Sequence, residues 1–148
     1  MTIQSFQMKS YTLAPGEGKS NYAFGKLLAV TKADSEQTGT AFNLFEFTCL
    51  PNYATELQIH YAEDVAIYVL EGTLDFYWGC EKKEAAAGSF FYQPRGTPHG
   101  FRVKDETPAR ILYLTIPGGI DRFISECASG SPGTEAHNKI EVLGPLPE

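Results

Sequence analysis

An all-β barrel or sandwich is the fold class that this sequence predicts, and three observations carry it. Short runs of β-branched and aromatic residues recur along the chain, separated by clusters of Gly, Pro and Asn. The run "AFNLFEFTCL" alternates, so Asn43, Phe45, Phe47 and Cys49 share one face and Phe42, Leu44, Glu46 and Thr48 the other. Helical spacing is visible in one segment alone, near the end of the chain.

The elements follow in order. "PGEGKSN" is a turn cluster, "FGKLLAVTK" reads as a strand and "ADSEQTGT" as a polar loop. "AFNLFEFTCL" is the next strand, and Pro51 and Asn52 stop it. "LQIHY" and "AIYVLEG" are strands flanking the loop "AEDV". "TLDFYWG" puts Leu74, Phe76 and Trp78 on one face, and "GCEKKE" reads as a hairpin turn. "GSFFYQP", "HGFRV" and "ARILYLTIP" complete the strands. After Gly118 and Gly119, the residues Ile120, Phe123, Ile124 and Cys127 follow the i, i+3, i+4, i+7 rule, and Gly130 ends the pattern. This predicts a helix over residues 120–128 whose apolar face packs on the outside of the β body. "SGSPGTEAHN" reads as a flexible loop, with His137 at the surface, and "KIEVLGPLPE" is a short apolar tail closed by Pro.

The 148 residues fit one domain, with a barrel core over about 25–117 and a tail over 129–148. Hydrophobic residues make up 43% of the chain, enough for a packed core. The net charge of −6 and the lack of a basic run argue against nucleic acid and anionic membranes as partners. Residues 1–24 hold no apolar signal region, and no apolar run is long enough to span a membrane. A cytoplasmic, reduced protein is expected. Cys49, Cys80 and Cys127 are widely spaced with no CxxC pattern, and Cys49 and Cys127 read as core residues. Neither a GxSxG elbow, a spaced Cys–His pair, a GxGxxG run nor a P-loop is present.

Two stretches carry chemistry. The first runs from Pro51 to Gly72 and contains "ELQIHYAEDVAIYVLEG"; the second is "GSFFYQPRGTPHGF", Gly88 to Phe101. Together they resemble the two motifs of the cupin superfamily. The first motif has two His one residue apart, then an acid, then a Gly. The second has Gly, then Pro-x-Gly, then His. Gly88, Pro94, Gly96 and His99 match the second motif, and Gly72 closes the first. The lead-in from Pro15 and the segments "TPARILYLTIPGGIDRFI" and "IEVLGP" are similar to small quercetin 2,3-dioxygenase-like cupins. The resemblance implies a double-stranded β-helix (jelly-roll) barrel with a short C-terminal helix, a small-molecule ligand and a homodimer, for which an exposed β edge in the N-terminal segment offers a physical reason.

The first motif departs from the family. The resemblance puts the family's first His at Gln58, its second at His60 and its Glu at Val65, while His99 matches the ligand of the second motif. The implied metal set is therefore His60, His99 and Gln58, with Glu56 as a further acid of the same strand parity. Glu63 and Asp64 lie in the following loop and would have to fold inward to take part. Two imidazoles suit Zn, Fe, Ni, Mn or Cu, but an amide oxygen is a weak ligand. Without a carboxylate at Val65 an ion's charge stays uncompensated, so a divalent metal is expected to be held weakly or not at all. Read without a metal, His60 and His99 are polar residues of an apolar pocket, hydrogen-bonded to Gln58 or a Tyr. Gln58, His60, Val65, Tyr92, His99 and Phe101 form the expected ligand pocket. Arg95 sits in a turn, either solvated or receiving a ligand carboxylate at the barrel mouth. Three functions remain open at this point: a binding barrel with an incomplete metal site, a metal-dependent dioxygenase or isomerase using His60 and His99, and a metal-free sensor or storage module.

Overall fold

Alternating apolar residues become alternating burial. Asn43, Phe45, Phe47 and Cys49 are all buried, while the residues between them are half-buried on the other face. The computed structural model describes residues 8–131 and 134–148. The expectations for residues 1–7 and for the His137 side chain lie outside the described residues.

The strands are β1 (Asn21–Phe24), β2 (Leu27–Ala33), β3 (Asn43–Cys49), β4 (Leu57–His60), β5 (Asp64–Glu71), β6 (Thr73–Trp78), β7 (Glu81–Ala86), β8 (Phe90–Gln93), β9 (His99–Val103), β10 (Ala109–Ile116) and β11 (Ile140–Gly144). They form a six-stranded sheet in the order β1-β2-β3-β10-β5-β8 and a five-stranded sheet in the order β11-β4-β9-β6-β7. Neighbouring strands in both sheets pair antiparallel. This is the all-β double-stranded β-helix that the two motifs imply. The inner faces meet in one core that includes Phe45, Phe47, Ile67, Leu74, Phe76 and Ile111. Within it Phe76 of β6 stacks on Phe91 of β8, with ring centroids 4.2 Å apart and planes 2° from parallel. An offset pair of this kind contributes about 0.5–1.5 kcal/mol beyond burial.

Two motif glycines have structural reasons. Gly72 joins β5 to β6 at φ 82°, and a Cβ there would lie 2.8 Å from the Ala109 Cα. Any side chain would therefore meet both backbone strain and β10. Gly96 follows Pro94 at φ 83°, and its N–H donates to the His60 carbonyl at 2.8 Å. That bond ties the second motif to the strand that carries the first.

Helix α1 (Ser35–Thr38) forms inside the segment read as a polar loop. Its signal is a capping box: the Gln37 N–H donates to Asp34 Oδ1 at 2.8 Å, and the Asp34 N–H donates to Gln37 Oε1 at 2.9 Å. Helix α2 (Ile120–Ser129) matches the predicted helix, ended by Gly130 at φ 74°. Its apolar face does not lie on the outside of the β body; Ile120 and Ile124 are buried and, with Phe123 and Cys127, wall the main cavity. A short α3 (Thr134–His137) follows.

Two further expectations are corrected. The predicted turn "GCEKKE" is only Gly79 and Cys80; Glu81 starts β7, which pairs along β6 from Trp78↔Glu81 to Thr73↔Ala86. Its Glu and Lys residues are the charged, exposed side chains suited to an unpaired sheet edge. The segment read as a flexible loop carries α3, and the apolar tail after it forms β11, which pairs with β4, Ile140 opposite His60. Leu146 is buried beyond it, close to Gly100.

Candidate functional site

Strand parity places Gln58 and His60 on one face of β4. β9 then brings His99 opposite Gln58, and β6 sets Trp78 on the other side of His99. Gln58, His60, His99 and Phe101 line one cavity of about 340 Å³. Its wall is apolar and aromatic, with Phe47, Tyr53, Ile67 and Tyr113 from the barrel and Phe123 from α2. Glu56 also lines the cavity, as an exposed residue.

Two expected pocket residues stand elsewhere. Tyr92 is 49% exposed, because on β8 the inward residues are Phe91 and Gln93 while Phe90 and Tyr92 face out. Val65 is buried but is not on the cavity wall; it sits in the inner row Thr115–Val65–Gln93 of the six-stranded sheet.

The acid of the site is Glu63. His60 is 2% exposed and Glu63 4%, and His60 Nδ1 lies 2.6 Å from Glu63 Oε1. A buried carboxylate is tolerated only when paired and hydrogen-bonded, and the imidazole Nδ1–H provides that. The loop after His60 splits two adjacent acids. Asp64 turns outward, where it accepts from the Arg95 backbone N–H at 2.9 Å and from Arg95 Nε at 3.0 Å. These bonds hold the Asp64 carboxyl below its ordinary pKa, the Arg95 side chain first. Arg95 is thereby committed to Asp64 and to the Ile116 carbonyl. The sequence signals for Glu63 were its three-residue offset from His60 and the second acid beside it, free to pair with Arg95.

His99 is fixed in a similar way, Nδ1 lying 3.0 Å from the Thr97 carbonyl. Burial, and then the nearby His60, push its pKa down to about 4, against the raising effect of the Thr97 carbonyl. The ring is neutral at pH 7. The Thr97 carbonyl is a pure acceptor, so the neutral His99 ring carries its proton on Nδ1 and presents Nε2 as a lone pair. The two rings stack with centroids 5.1 Å apart and planes at 30°. Neither Nε2 has a hydrogen-bond partner although both are buried, so Gln58 does not bridge them. Unpartnered buried polar atoms are rare in native proteins.

The orphaned Nε2 atoms suit a metal, but the remaining donors do not. The position aligned with the family's acid is a buried valine. Glu63 is committed to the far nitrogen of His60. Among the described residues no group of three or more His, Cys, Asp and Glu gathers as metal ligands. Two neutral nitrogens and one amide leave a divalent charge without a first-contact anion. The residues present therefore do not fit a tightly held divalent ion. Cys127 also lines the cavity, half-buried rather than in the core, with its thiol pushed up to about 11 by burial. Cys49 is in the core, its thiol pushed up to about 12 by burial.

Comparison with known proteins agrees with this fold. Residues 45–115 match the cupin domain family. Quercetin 2,3-dioxygenase of Bacillus subtilis (strain 168) is 29% identical over 115 residues, covering 78% of this chain and 34% of that protein. The chain thus spans about a third of the length of that relative. An RmlC-like cupin from Shewanella frigidimarina NCIMB 400 superposes with a TM-score of 0.65 at 17% identity, covering 78% of this chain and 99% of that one. A sugar phosphate isomerase of the cupin superfamily from Silicibacter pomeroyi superposes with a TM-score of 0.55 at 18% identity, over 62% of this chain and 59% of that one. Residues 45–115 match a cupin domain, and fold, motifs and relatives together support a small cupin-superfamily protein.

Proposed function

We propose that the chain binds a small molecule inside its barrel, at His60 and His99, without a tightly held metal. One observation carries the reading: an apolar cavity of about 340 Å³ is lined by two buried imidazoles whose Nε2 atoms have no protein partner. Small-molecule sites have this make-up, an apolar wall with a few placed polar groups. The distant dioxygenase and sugar phosphate isomerase relatives give the fold a history of small-molecule chemistry, but a shared fold does not carry an activity with it.

The test is a thermal-shift screen of aromatic and sugar-like compounds on tag-free protein treated with EDTA. A ligand is expected that stabilises the EDTA-treated protein and binds His99→Gln more weakly by about 1–3 kcal/mol, the cost of an unsatisfied buried partner. Binding or turnover seen only after adding Fe, Mn, Ni, Zn or Cu would favour the metal-dependent dioxygenase or isomerase. A ligand that binds and is never transformed would leave a sensor or storage role.

Pairing into a homodimer belongs to the same proposal. Tyr68, Phe90 and Tyr92 expose large apolar surface on the outer face of β5 and β8. β8 is also an edge strand. A second copy covering this face relieves both. Sedimentation as a dimer for the wild type and as a monomer for Phe90→Glu is the expected result. The three free cysteines support a reduced, cytoplasmic setting. No helix among the described residues is long and apolar enough to cross a membrane.

A further inference from the structure

We propose that Asn43 is a positioning residue of the binding cavity: it holds helix α2, the helical wall, in place and thereby sets the size of molecule that the cavity admits. This rests on the small-molecule reading and adds to it what shapes the site.

The first observation is a polar side chain in an apolar row. Asn43 shares the inner face of β3 with Phe45, Phe47 and Cys49, and it is fully buried. An amide there is costly unless its polar groups are paired. They are paired, and the partners lie around the start of α2. Asn43 Oδ1 accepts from the Gly119 N–H at 2.9 Å and from the Asp121 N–H at 3.0 Å. Its Nδ2 donates to Ser35 Oγ and to the Phe42 carbonyl, each at 3.1 Å. The first turn of a helix leaves N–H groups without partners, and the N-cap of α2 is a glycine with no side chain to serve them. Asn43 serves them from another element.

Asp121 closes the knot. Its Oδ2 accepts from the Ser35 N–H and its Oδ1 from Ser35 Oγ, both at 2.9 Å. Gly118 lets the chain come close, since a Cβ there would lie 2.9 Å from Ser35 Oγ and 3.1 Å from Asn43 Nδ2. The other end of α2 is tied to the α3 segment. Thr134 Oγ1 donates to Glu126 Oε2 at 2.7 Å, and Arg122 Nε donates to Asn138 Oδ1 at 2.9 Å. Between these ties Ile120, Phe123, Ile124 and Cys127 line the cavity. A wall held at its ends by side-chain hydrogen bonds, and not by a strand ladder, opens at lower free energy than the barrel. Glycine at both junctions, Gly119 at φ 137° and Gly130 at φ 74°, leaves the chain free to turn there.

The three free cysteines test this without a ligand. Cys80 is exposed, Cys49 is buried in the barrel core, and Cys127 sits on α2 at the cavity. The full chain is treated with methyl or benzyl methanethiosulfonate over a range of low urea concentrations, and labelling of each cysteine is followed by peptide mass spectrometry. In the wild type, relative to Cys80, the benzyl reagent should label Cys127 more slowly than the methyl reagent does. Its urea dependence at Cys127 should be shallower than at Cys49, because moving α2 exposes less surface than unfolding the barrel. Asn43→Ala should speed benzyl labelling of Cys127 about tenfold with the slope still shallow, the factor that one ordinary hydrogen bond makes in an opening equilibrium. Asp121→Ala, at a half-buried residue outside the barrel core, should speed it about two- to fivefold and stands in if Asn43→Ala does not fold. A merely structural Asn43 would speed Cys49 and leave Cys127 unchanged. Unchanged Cys127 labelling in Asn43→Ala, or in Asp121→Ala should the first variant not fold, overturns the proposal. So does a Cys127 slope as steep as that of Cys49, or equal normalised rates for the two reagents in the wild type. Each of these failures leaves the small-molecule reading to its own ligand screen.

Discussion

Glu63 and Asp64 are neighbours of the same charge, and their removal should have very different effects. Glu63→Ala leaves the buried His60 Nδ1–H without an acceptor, which costs about 1–3 kcal/mol. Deleting a side chain only 4% exposed also leaves a small void, adding roughly another 1 kcal/mol. Losing a buried charge offsets part of this, because the carboxylate no longer has to be held away from water. The net loss should be about 2 kcal/mol. Asp64→Ala removes a surface pair with Arg95, whose side chain is 49% exposed, and should cost no more than about 1 kcal/mol. Glu63→Gln keeps an acceptor and should fall between the two. Urea unfolding followed by circular dichroism measures all three, with an unchanged slope showing that midpoint shifts report stability. Equal losses for the two alanine variants, or a stabilised Glu63→Ala, would refute the inward placement of Glu63.

The pH dependence of stability carries His99. Its pKa falls from 6.5 to about 4 on folding, so between those values the unfolded chain binds more protons. Wild-type stability should therefore rise with pH from 4 to 6.5, by about 3 kcal/mol from this group, and His99→Asn should flatten the rise in urea titrations. β8 offers a parity test by thermal or chemical unfolding. Phe76→Ala, which breaks the stack on Phe91, should cost about 3–5 kcal/mol, while Phe90→Ala, at a side chain 66% exposed, should change stability by no more than about 0.5 kcal/mol when both are measured at concentrations where the chain is monomeric. The missing donors can be put back. Gln58→His with Val65→Glu restores the family's set, and zinc should raise the thermal midpoint of that double variant far more than that of the wild type; equal shifts would show that Val65 is not where the acid belongs.

Most of the barrel was legible because alternation is a local signal. Asn43 to Cys49 alternate in sequence and alternate in burial. The helix from Ile120 was equally plain, since four apolar residues share one face. Its role was not, because which surface covers that face is decided by tertiary packing around Phe47, Tyr53 and Tyr113. α1 was missed although Asp34 and Gln37 spell a capping box; four residues are too short for periodicity to register. β7 was missed because an edge strand of Glu and Lys carries no apolar pattern. At the site, parity put Gln58 and His60 on one wall, and the motif supplied His99. Glu63 escaped because its direction depends on Arg95, thirty-one residues beyond Asp64, drawing that neighbour outward. Tyr92 was misplaced by one residue of register on β8, and such a slip exchanges the two faces of a strand.

The central claim is that His60 and His99 are held by Glu63 and Thr97 in a ligand cavity rather than a metal seat. The ¹⁵N resonances of the two imidazoles, recorded on tag-free protein before and after EDTA, test it most directly. The account predicts a protonated Nδ1 and an unprotonated, unligated Nε2 in His99, with no change in either ring on adding EDTA. Nε2 resonances that move when EDTA is added, together with one metal per chain by elemental analysis, would contradict it.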